Sequence, residues 1–378
     1  MSTLSAALIV RDEAQFVAEC LCSLHGHVDQ IVVVDTGSVD DTIDIARRFS
    51  VDLHHFRWCN DFSAARNFAL DQAKSDWILY IDADERLDIP EHVVLSDLLA
   101  DRSKVGWRVR LHPRIGWTAY AELRLFRNNP QIRFQGVIHE RIQPTLETFA
   151  RSHGLEVGDC AVNLYHVGYE ADQRPKNSRN IPLLRQYLSA DPDRLYCWWH
   201  LGECLRIAGD DAAAIEAWTS GIRRLSRLER QTGDSLLYLS LIKTKHDRGE
   251  LIDDLVAQAL ALFPGHLAFQ WIAAQLAAER GALNEAKPVL QKLNTIDADS
   301  FFDPELAYDK GLFRHLSAEP LALCYFREGR FADAARLYGQ AAQTAPDPAP
   351  LELKARLAEL RAHQHLGQPV LMADQAAQ

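Results

Sequence analysis

Three groups of acidic residues follow directly on short apolar runs: Asp12-Glu13 after AALIV, Asp35 after IVVV, and Asp82-Ala83-Asp84-Glu85 after WILYI. Carboxylates gathered at one edge raise one another's pKa unless a cation neutralises them, and burying one unpaired is costly. A divalent ion is the economical partner. An all-oxygen set selects Mg2+ or Mn2+ over zinc, and such ions keep waters while bridging phosphates. Turn and helix-cap duty accounts for Ser38 and Asp40 in DTGSVDDT. Asp35 ends its apolar run and is positioned to accept hydrogen bonds from a base or ribose. Arg66 supplies the opposite charge. In DFSAARNFALDQA (61–73), Phe62, Ala65, Phe68 or Ala69, and Gln72 or Ala73 recur at helical spacing. A guanidinium in an acidic cleft matches a diphosphate bidentately.

Positioning these groups takes a sheet. AALIV (6–10), QIVVVD (30–35), VDLHHF (51–56) and DWILYID (76–82) are continuous apolar runs of strand length, separated by helically spaced Glu13–Leu24 and Thr42–Phe49. Continuous rather than alternating hydrophobicity means that both faces are covered, as in a parallel α/β sheet, whose ligands sit at the carboxyl ends of the strands. Strand candidates at Trp107–Leu111, Leu123–Phe126 and Ala161–Val167 suit antiparallel additions that make the sheet mixed.

After about residue 175 the strand runs give way to Ala-, Leu- and Arg-rich helical segments. Turns at Gly209, Gly249, Gly281 and Gly329 recur at spacings of 40, 32 and 48, bracketing the ~34-residue tetratricopeptide period. Trp198, Leu201, Gly202, Ala214 and Trp218 in one unit, and Tyr325, Ala334, Tyr338 and Pro346 in another, stand where that repeat has its packing residues. The chain therefore divides into a Rossmann-like α/β domain at 1–172 and an all-α domain of degenerate helical repeats at 173–378.

Composition narrows the partners. The 378 residues are 47% hydrophobic and 25% charged, an ordinary globular balance, with a formal net charge of −11. That charge opposes nucleic acid and anionic membranes. Residues 1–170 carry 25 Asp+Glu against 17 Lys+Arg, so most of the excess lies with the acidic clusters. Seven scattered cysteines without a CxxC unit read as reduced thiols. No run reaches the ~18 apolar residues of a membrane span. A cytoplasmic protein is expected.

LIVRDEA, VVVDTGSVDDT, NDFSAARNFAL and WILYIDADE, in that order and spacing, resemble the family-2 glycosyltransferases of GT-A fold. The branch is the one with "DFSxxRN" and a helical-repeat C-terminus, similar in layout to the bacterial peptide S-glycosyltransferases of the sublancin type. The likeness is strong over residues 4–90 and weaker over 120–180. It implies a metal-dependent, inverting hexosyltransferase that uses Mn2+ or Mg2+. The implied donor is a nucleotide-sugar, with a UDP-sugar favoured, and the acceptor a peptide, protein or glycan; the repeats would hold the acceptor or pair two subunits. Carried over by position, Asp35 binds the uracil or ribose and Arg11 to Glu13 lie near the base. Arg66 contacts the diphosphate. Asp82 and Asp84 form the DXD element, with Asp84 on the metal and Asp82 on ribose or on metal through water. The family often has Asn where Asp12 stands. His166 completes the metal or diphosphate site, and Lys176 and Arg179 close over the leaving group.

RLFRNNPQIRFQGVIHERI (124–142) resembles the branch's segment ending in His-Glu. An inverting transfer requires a base; Glu140 is the first candidate and His139 the second, against a plain ion pair of Glu140 with Arg141 or Arg133. Two other functions remain open. A sugar nucleotidyltransferase would want a Gly-rich basic loop near the first strand, which VRDEAQF is not. A non-catalytic repeat adaptor with a remnant nucleotide domain would bind no sugar nucleotide. His54-His55 and the HQH at 363–365 lack metal spacing. Trp198 and Trp199 read as repeat core.

Overall fold

A computed structural model describes residues 2–168 and 174–366. Two compact units emerge, 1–244 with 302–307, and 245–301 with 308–378. The division expected near residue 172 falls inside the first of them.

The first unit is built on an eight-stranded sheet. Its strands are β1 (Leu4–Val10), β2 (Gln30–Asp35), β3 (Asp52–His55), β4 (Trp77–Tyr80), β5 (Glu85–Asp88), β6 (Lys104–His112), β7 (Tyr120–Arg127) and β8 (Glu156–His166). They lie in the order β3-β2-β1-β4-β7-β6-β8-β5. The first four are parallel, β7 runs antiparallel to β4 and to β6, β8 pairs parallel with β6, and β5 pairs antiparallel with β8. This is the mixed sheet that the apolar runs predicted.

The unbroken hydrophobicity has the expected cause. Leu4, Ala6, Leu8 and Val10 of β1 join Val33, Trp77 and Leu79 in one core layer, and the alternate residues Ala7, Val32, Val34, Ile78 and Tyr80 join the layer on the opposite face. Helix α1 (Val17–Leu24) covers the first layer, and α3 (Phe62–Gln72) and α5 (Gln143–His153) contribute to the second. The short helices α2 (Thr42–Ala46) and α4 (Leu95–Ala100) lie between strands. Helix α3 starts where DFSAARN predicted, because Asp61 accepts from the Ala64 amide at 3.1 Å as its N-cap. The sequence pattern did not mark β5, whose ERLD is charged at three of its four residues, the short α4, or α5, which carries Pro144 in its first turn and ends at Gly154 with φ 64°.

The helices that follow in the first unit are α6 (Arg174–Ala190), α7 (Leu195–Ile207) and α8 (Asp211–Leu225); α9 (Ser235–Asp247) comes next. The second unit contains α10 (Asp253–Leu262), α11 (Leu267–Arg280), α12 (Leu283–Asn294), α13 (His315–Arg327), α14 (Phe331–Ala342) and α15 (Ala349–Leu366). The four glycine turns do one job. Gly209, Gly249, Gly281 and Gly329 have φ between 73° and 86°, and each following amide bonds back five residues, as Asp210 does to Leu205 and Arg330 to Tyr325. That is the Schellman ending, which needs a left-handed residue. The small packing residues are as read: Ala214 and Ala334 are fully buried, and a Cβ on Gly202 would stand 2.1 Å from the Trp218 ring nitrogen. No helix among the described residues is long and apolar enough to cross a membrane.

Candidate functional site

Two hollows open at the carboxyl ends of the parallel strands, of about 650 Å3 and 540 Å3, and both are bounded by Phe62, Arg66, Asp82 and His166. The first is otherwise lined by Arg11, Asp12, Glu13, Trp58, Asp84 and Arg179, among others. The second is lined by Tyr120, Glu122, His139, Glu140, Arg194 and Tyr196, among others.

At the end of β4 the chain turns so that the Asp82 amide donates to Glu85 Oε2 at 2.9 Å and the Glu85 amide donates to the Asp82 carbonyl. The antiparallel register of β5 on β8 sets Glu85 opposite His166. His166 Nε2 therefore lies 3.4 Å from Asp84 Oδ2. A side chain at Gly168 would collide with that carboxylate, its Cβ falling 2.2 Å from Oδ2. Burial disfavours the charged His166 ring, but its bond to Asp84 outweighs this and raises the pKa.

Arg66 projects from α3 between the hollows. Its Nη2 donates to Asp82 Oδ1 at 2.8 Å, its Nε donates to Glu140 Oε1, and its guanidinium lies 5.1 Å from the Tyr80 ring centre. Burial works against its charge, and Asp82 and Glu140 overcome it. Asp82 is half-buried; desolvation alone would raise its pKa, but Arg66 and Arg124 overcome this and hold it below the usual carboxylate range. Arg124 on β7 forks onto Glu85 at 3.0 and 2.8 Å, both residues being buried. Burial pushes Glu85 up to about 7 while Arg124 pulls the other way. Two arginines of this chain thus hold Asp82 and Glu85 of the DADE turn, while Asp84 lies against His166. Sequence reasoning missed Arg124; the available signal was an arginine inside the otherwise apolar strand LRLFR.

Of the other acidic groups, Asp12 and Glu13 share the first hollow with Asp82 and Asp84, whereas Asp35 does not line it. Asp35 is 4% exposed, its two oxygens accept from the Gly37 and Ser38 amides at 3.0 and 3.1 Å, and His55 Nδ1 stands 3.5 Å away. His55 thus has the acid neighbour that its sequence did not suggest. Asp35 shapes the turn and lines neither hollow. Asp12 has φ 54°; its amide donates to Ser38 Oγ and its Oδ1 accepts from the Val39 amide at 2.8 Å. Asp and Asn both tolerate this left-handed conformation, which accounts for the interchange at this position. The Glu13 amide donates to Thr42 Oγ1. Arg11 and Arg179 both border the first hollow, and Arg179 has its pKa lowered by burial and by Arg11. The Lys176 side chain lies outside the described residues.

His139 and Glu140 sit on a loop clamped by paired hydrogen bonds between the backbones of Gln135 and Arg141, both 2.9 Å, and anchored to the start of α3 by the Phe62 amide on the Val137 carbonyl. Glu140 pairs with Arg66 rather than with Arg141 or Arg133; Arg133 reaches Asp71 instead. Oε2 of Glu140 accepts no hydrogen bond among the described residues. His139 adopts φ 51° and stacks on His200 of α7 at 3.8 Å. Burial, with Arg194 adding to it, pushes its pKa down to about 4, and its Nε2 has no hydrogen-bond partner. Trp199 is tied to Ser240 and Trp198 to the Pro192 carbonyl, structural roles as expected.

Residues 5–94 match the model of Glycosyl transferase family 2, and residues 177–226 that of a tetratricopeptide repeat. A TPR repeat-containing protein of Synechococcus elongatus is 35% identical over 256 residues, covering 62% of this chain and 63% of that protein. The SPbeta prophage-derived glycosyltransferase SunS of Bacillus subtilis is 27% identical over 276 residues, 65% of this chain and 64% of SunS. The chain thus spans a little under two thirds of the length of these relatives. Among solved structures, a mannosyltransferase from Pyrobaculum calidifontis is 17% identical at a TM-score of 0.38, covering 63% of this chain and 79% of that one. S. aureus TarS is 14% identical at 0.35, covering 86% and 92%. The chain is thus similar to glycosyl transferase family 2 over residues 5–94 and to a tetratricopeptide repeat over residues 177–226.

Proposed function

We propose that this protein is a metal-dependent, inverting glycosyltransferase, with a nucleotide-sugar in the first hollow and the acceptor, a peptide, protein or glycan, in the second. The observation that carries this reading is the Arg66 guanidinium, shared by Asp82 on one side and Glu140 on the other. One cation thereby couples a donor-facing carboxylate to an acceptor-facing one. The family match and the glycosyltransferase relative support it.

Among the described residues no cluster of three His, Cys, Asp or Glu side chains is arranged for a metal. Asp84 and His166 are the residues that would hold Mg2+ or Mn2+ beside the diphosphate. Such an ion, when bound, stabilises negative charge on the leaving diphosphate. Arg11 and Arg179 supply further positive charge on the same side. Glu140 accepts the proton of the acceptor hydroxyl or thiol as that atom attacks the anomeric carbon. The bond from that carbon to the diphosphate breaks, and its electron pair leaves with the nucleotide. Arg66 holds Glu140 in position throughout, and His139, neutral at pH 7, is the second candidate for the base.

The test is turnover of UDP-, GDP- and dTDP-sugars with Mn2+ by the protein and its Asp84→Asn variant, which keeps the carboxamide in the space beside Gly168. At least a hundredfold loss in a folded variant is expected. Undiminished turnover would sink the assignment of Asp84, and failure of every sugar nucleotide to bind would favour the adaptor.

A further inference from the structure

Helix α7 presents a tyrosine to the second hollow. Tyr196 stands in the first turn of that helix, lines the hollow and is 41% exposed. Three rings hold it: His139 edge-to-face at 5.3 Å, His200 at 5.0 Å and Trp199 at 5.3 Å between ring centres. Its hydroxyl lies 3.3 Å from His200 Nε2. A ring fixed in this way loses little freedom when a ligand covers it. The charges around it do not select an ion. Among the described residues, four arginines and four carboxylates line the hollow, the inner ones paired with one another. Asn180 and Gln231 add uncharged amides. Of the strands at the hollow, β4, β6 and β7 are paired on both sides, and β5, at the edge of the sheet, contributes only the buried Glu85. An extended peptide therefore finds no open strand edge there to pair with.

A neutral molecule with one apolar face and a rim of hydroxyls meets these conditions, and a sugar ring has both. The electron-rich face of a phenol ring attracts the C–H bonds on a sugar's face and shares the apolar area they bury, while a few amides suffice to orient the hydroxyls. We propose that the acceptor is a neutral glycan, one sugar ring of which stacks on Tyr196. This inference rests on the reading of the second hollow as the acceptor site and narrows the acceptor to one class. His139, which meets Tyr196 edge-to-face, precedes Glu140 on the clamped loop, so a sugar stacked on Tyr196 stands beside the proposed base. A hydroxyl oxygen of that sugar bonds the anomeric carbon, its proton passes to Glu140, and the bond to the diphosphate breaks with its electron pair leaving on the nucleotide. Tyr196 takes no part in those bonds; it selects what is bound.

The test is saturation-transfer NMR on the full chain, with and without saturating UDP and Mg2+. The probes are the methyl glycosides of glucose, galactose and N-acetylglucosamine, set against N-acetyl serinamide and N-acetyl cysteinamide. At least one glycoside should bind, with transfer concentrated on the protons of one ring face. Tyr196→Phe keeps the ring and should bind that glycoside as the wild type does. Tyr196→Ala and Tyr196→Leu should each weaken it about tenfold, with circular dichroism confirming that both are folded. A glycoside bound equally by the wild type and by both variants without the ring overturns the proposal, as does binding of the amino acid amides alone or of no probe at all. Ring-dependent glycoside binding in a protein that binds no UDP-, GDP- or dTDP-sugar would overturn the transferase reading and leave a glycan site standing here. Sugar-nucleotide binding beside ring-independent glycoside binding would sink this inference alone.

Discussion

In the first hollow the carboxylates are held by nearby partners: the Val39 amide holds Asp12, Arg66 holds Asp82, and His166 lies against Asp84. In the second, Arg66 and Arg124 are shared among Asp82, Glu140, Glu85 and Glu122, beside the neutral stack of His139 on His200. The first hollow is made by strand ends and tight turns, where backbone N–H groups are plentiful. The second is lined by residues of β4, β5, β6 and β7 together with the loop at 138–141 and the start of α7, and there ion pairs between side chains set the charge. Amides hold a carboxylate without cancelling its charge, whereas a guanidinium fixes a carboxylate and offsets its charge.

Four expected outcomes break or sharpen this contrast. Arg124→Leu leaves Glu85 buried without its fork and should cost about 3–5 kcal/mol, read by urea unfolding; a loss below 1 kcal/mol would mean that the turn does not depend on the arginine. Arg66→Lys keeps a charge but cannot serve Asp82 and Glu140 together, so turnover should fall about 10²–10³-fold. Because Arg66 belongs to both hollows, donor affinity and acceptor KM should suffer together, and a change confined to one would separate them. Gly202→Ala sets a Cβ against Trp218 and should destabilise by about 2 kcal/mol. Its helix, α7, also carries Arg194, Tyr196 and His200, so acceptor KM should rise while UDP affinity holds.

The smallest effect is on pH. His139 stays neutral in the folded protein to about pH 4, whereas the unfolded ring takes up its proton near pH 6.5. Between these values the unfolded state binds more protons, so stability falls as pH falls. The contribution is on the order of 1 kcal/mol at pH 5.5. Urea unfolding at pH 7.5 and 5.5 should show it, and His139→Asn, which tolerates the same backbone conformation, should flatten the dependence. An unchanged slope in that variant would remove His139 from the account.

The sheet and the repeats were legible because their signals are local. Strands covered on both faces read as unbroken apolar runs, and the four helix endings each need a left-handed residue, which glycine supplies. The DADE turn and Arg66 were legible for the same reason, each standing at the end or on the face of a strongly patterned element. What escaped depends on pairing between distant segments. Arg124 lies 39 residues from the Glu85 it neutralises, and of the three acidic clusters expected at the strand ends two line one hollow, while Asp35 is used to tie its own turn.

Sequence alone therefore determined that the chain has a mostly parallel sheet edge rich in carboxylates followed by helical hairpins, since periodicity and turn chemistry act over a few residues. Only the tertiary structure decided which charge meets which. The register of β5 on β8 brings Asp84 to His166, the clamped loop brings Glu140 to Arg66, and α7 brings His200 onto His139. Electrostatic energies depend on distance and burial, and neither can be read from residues that lie 50 to 80 positions apart until the chain is folded.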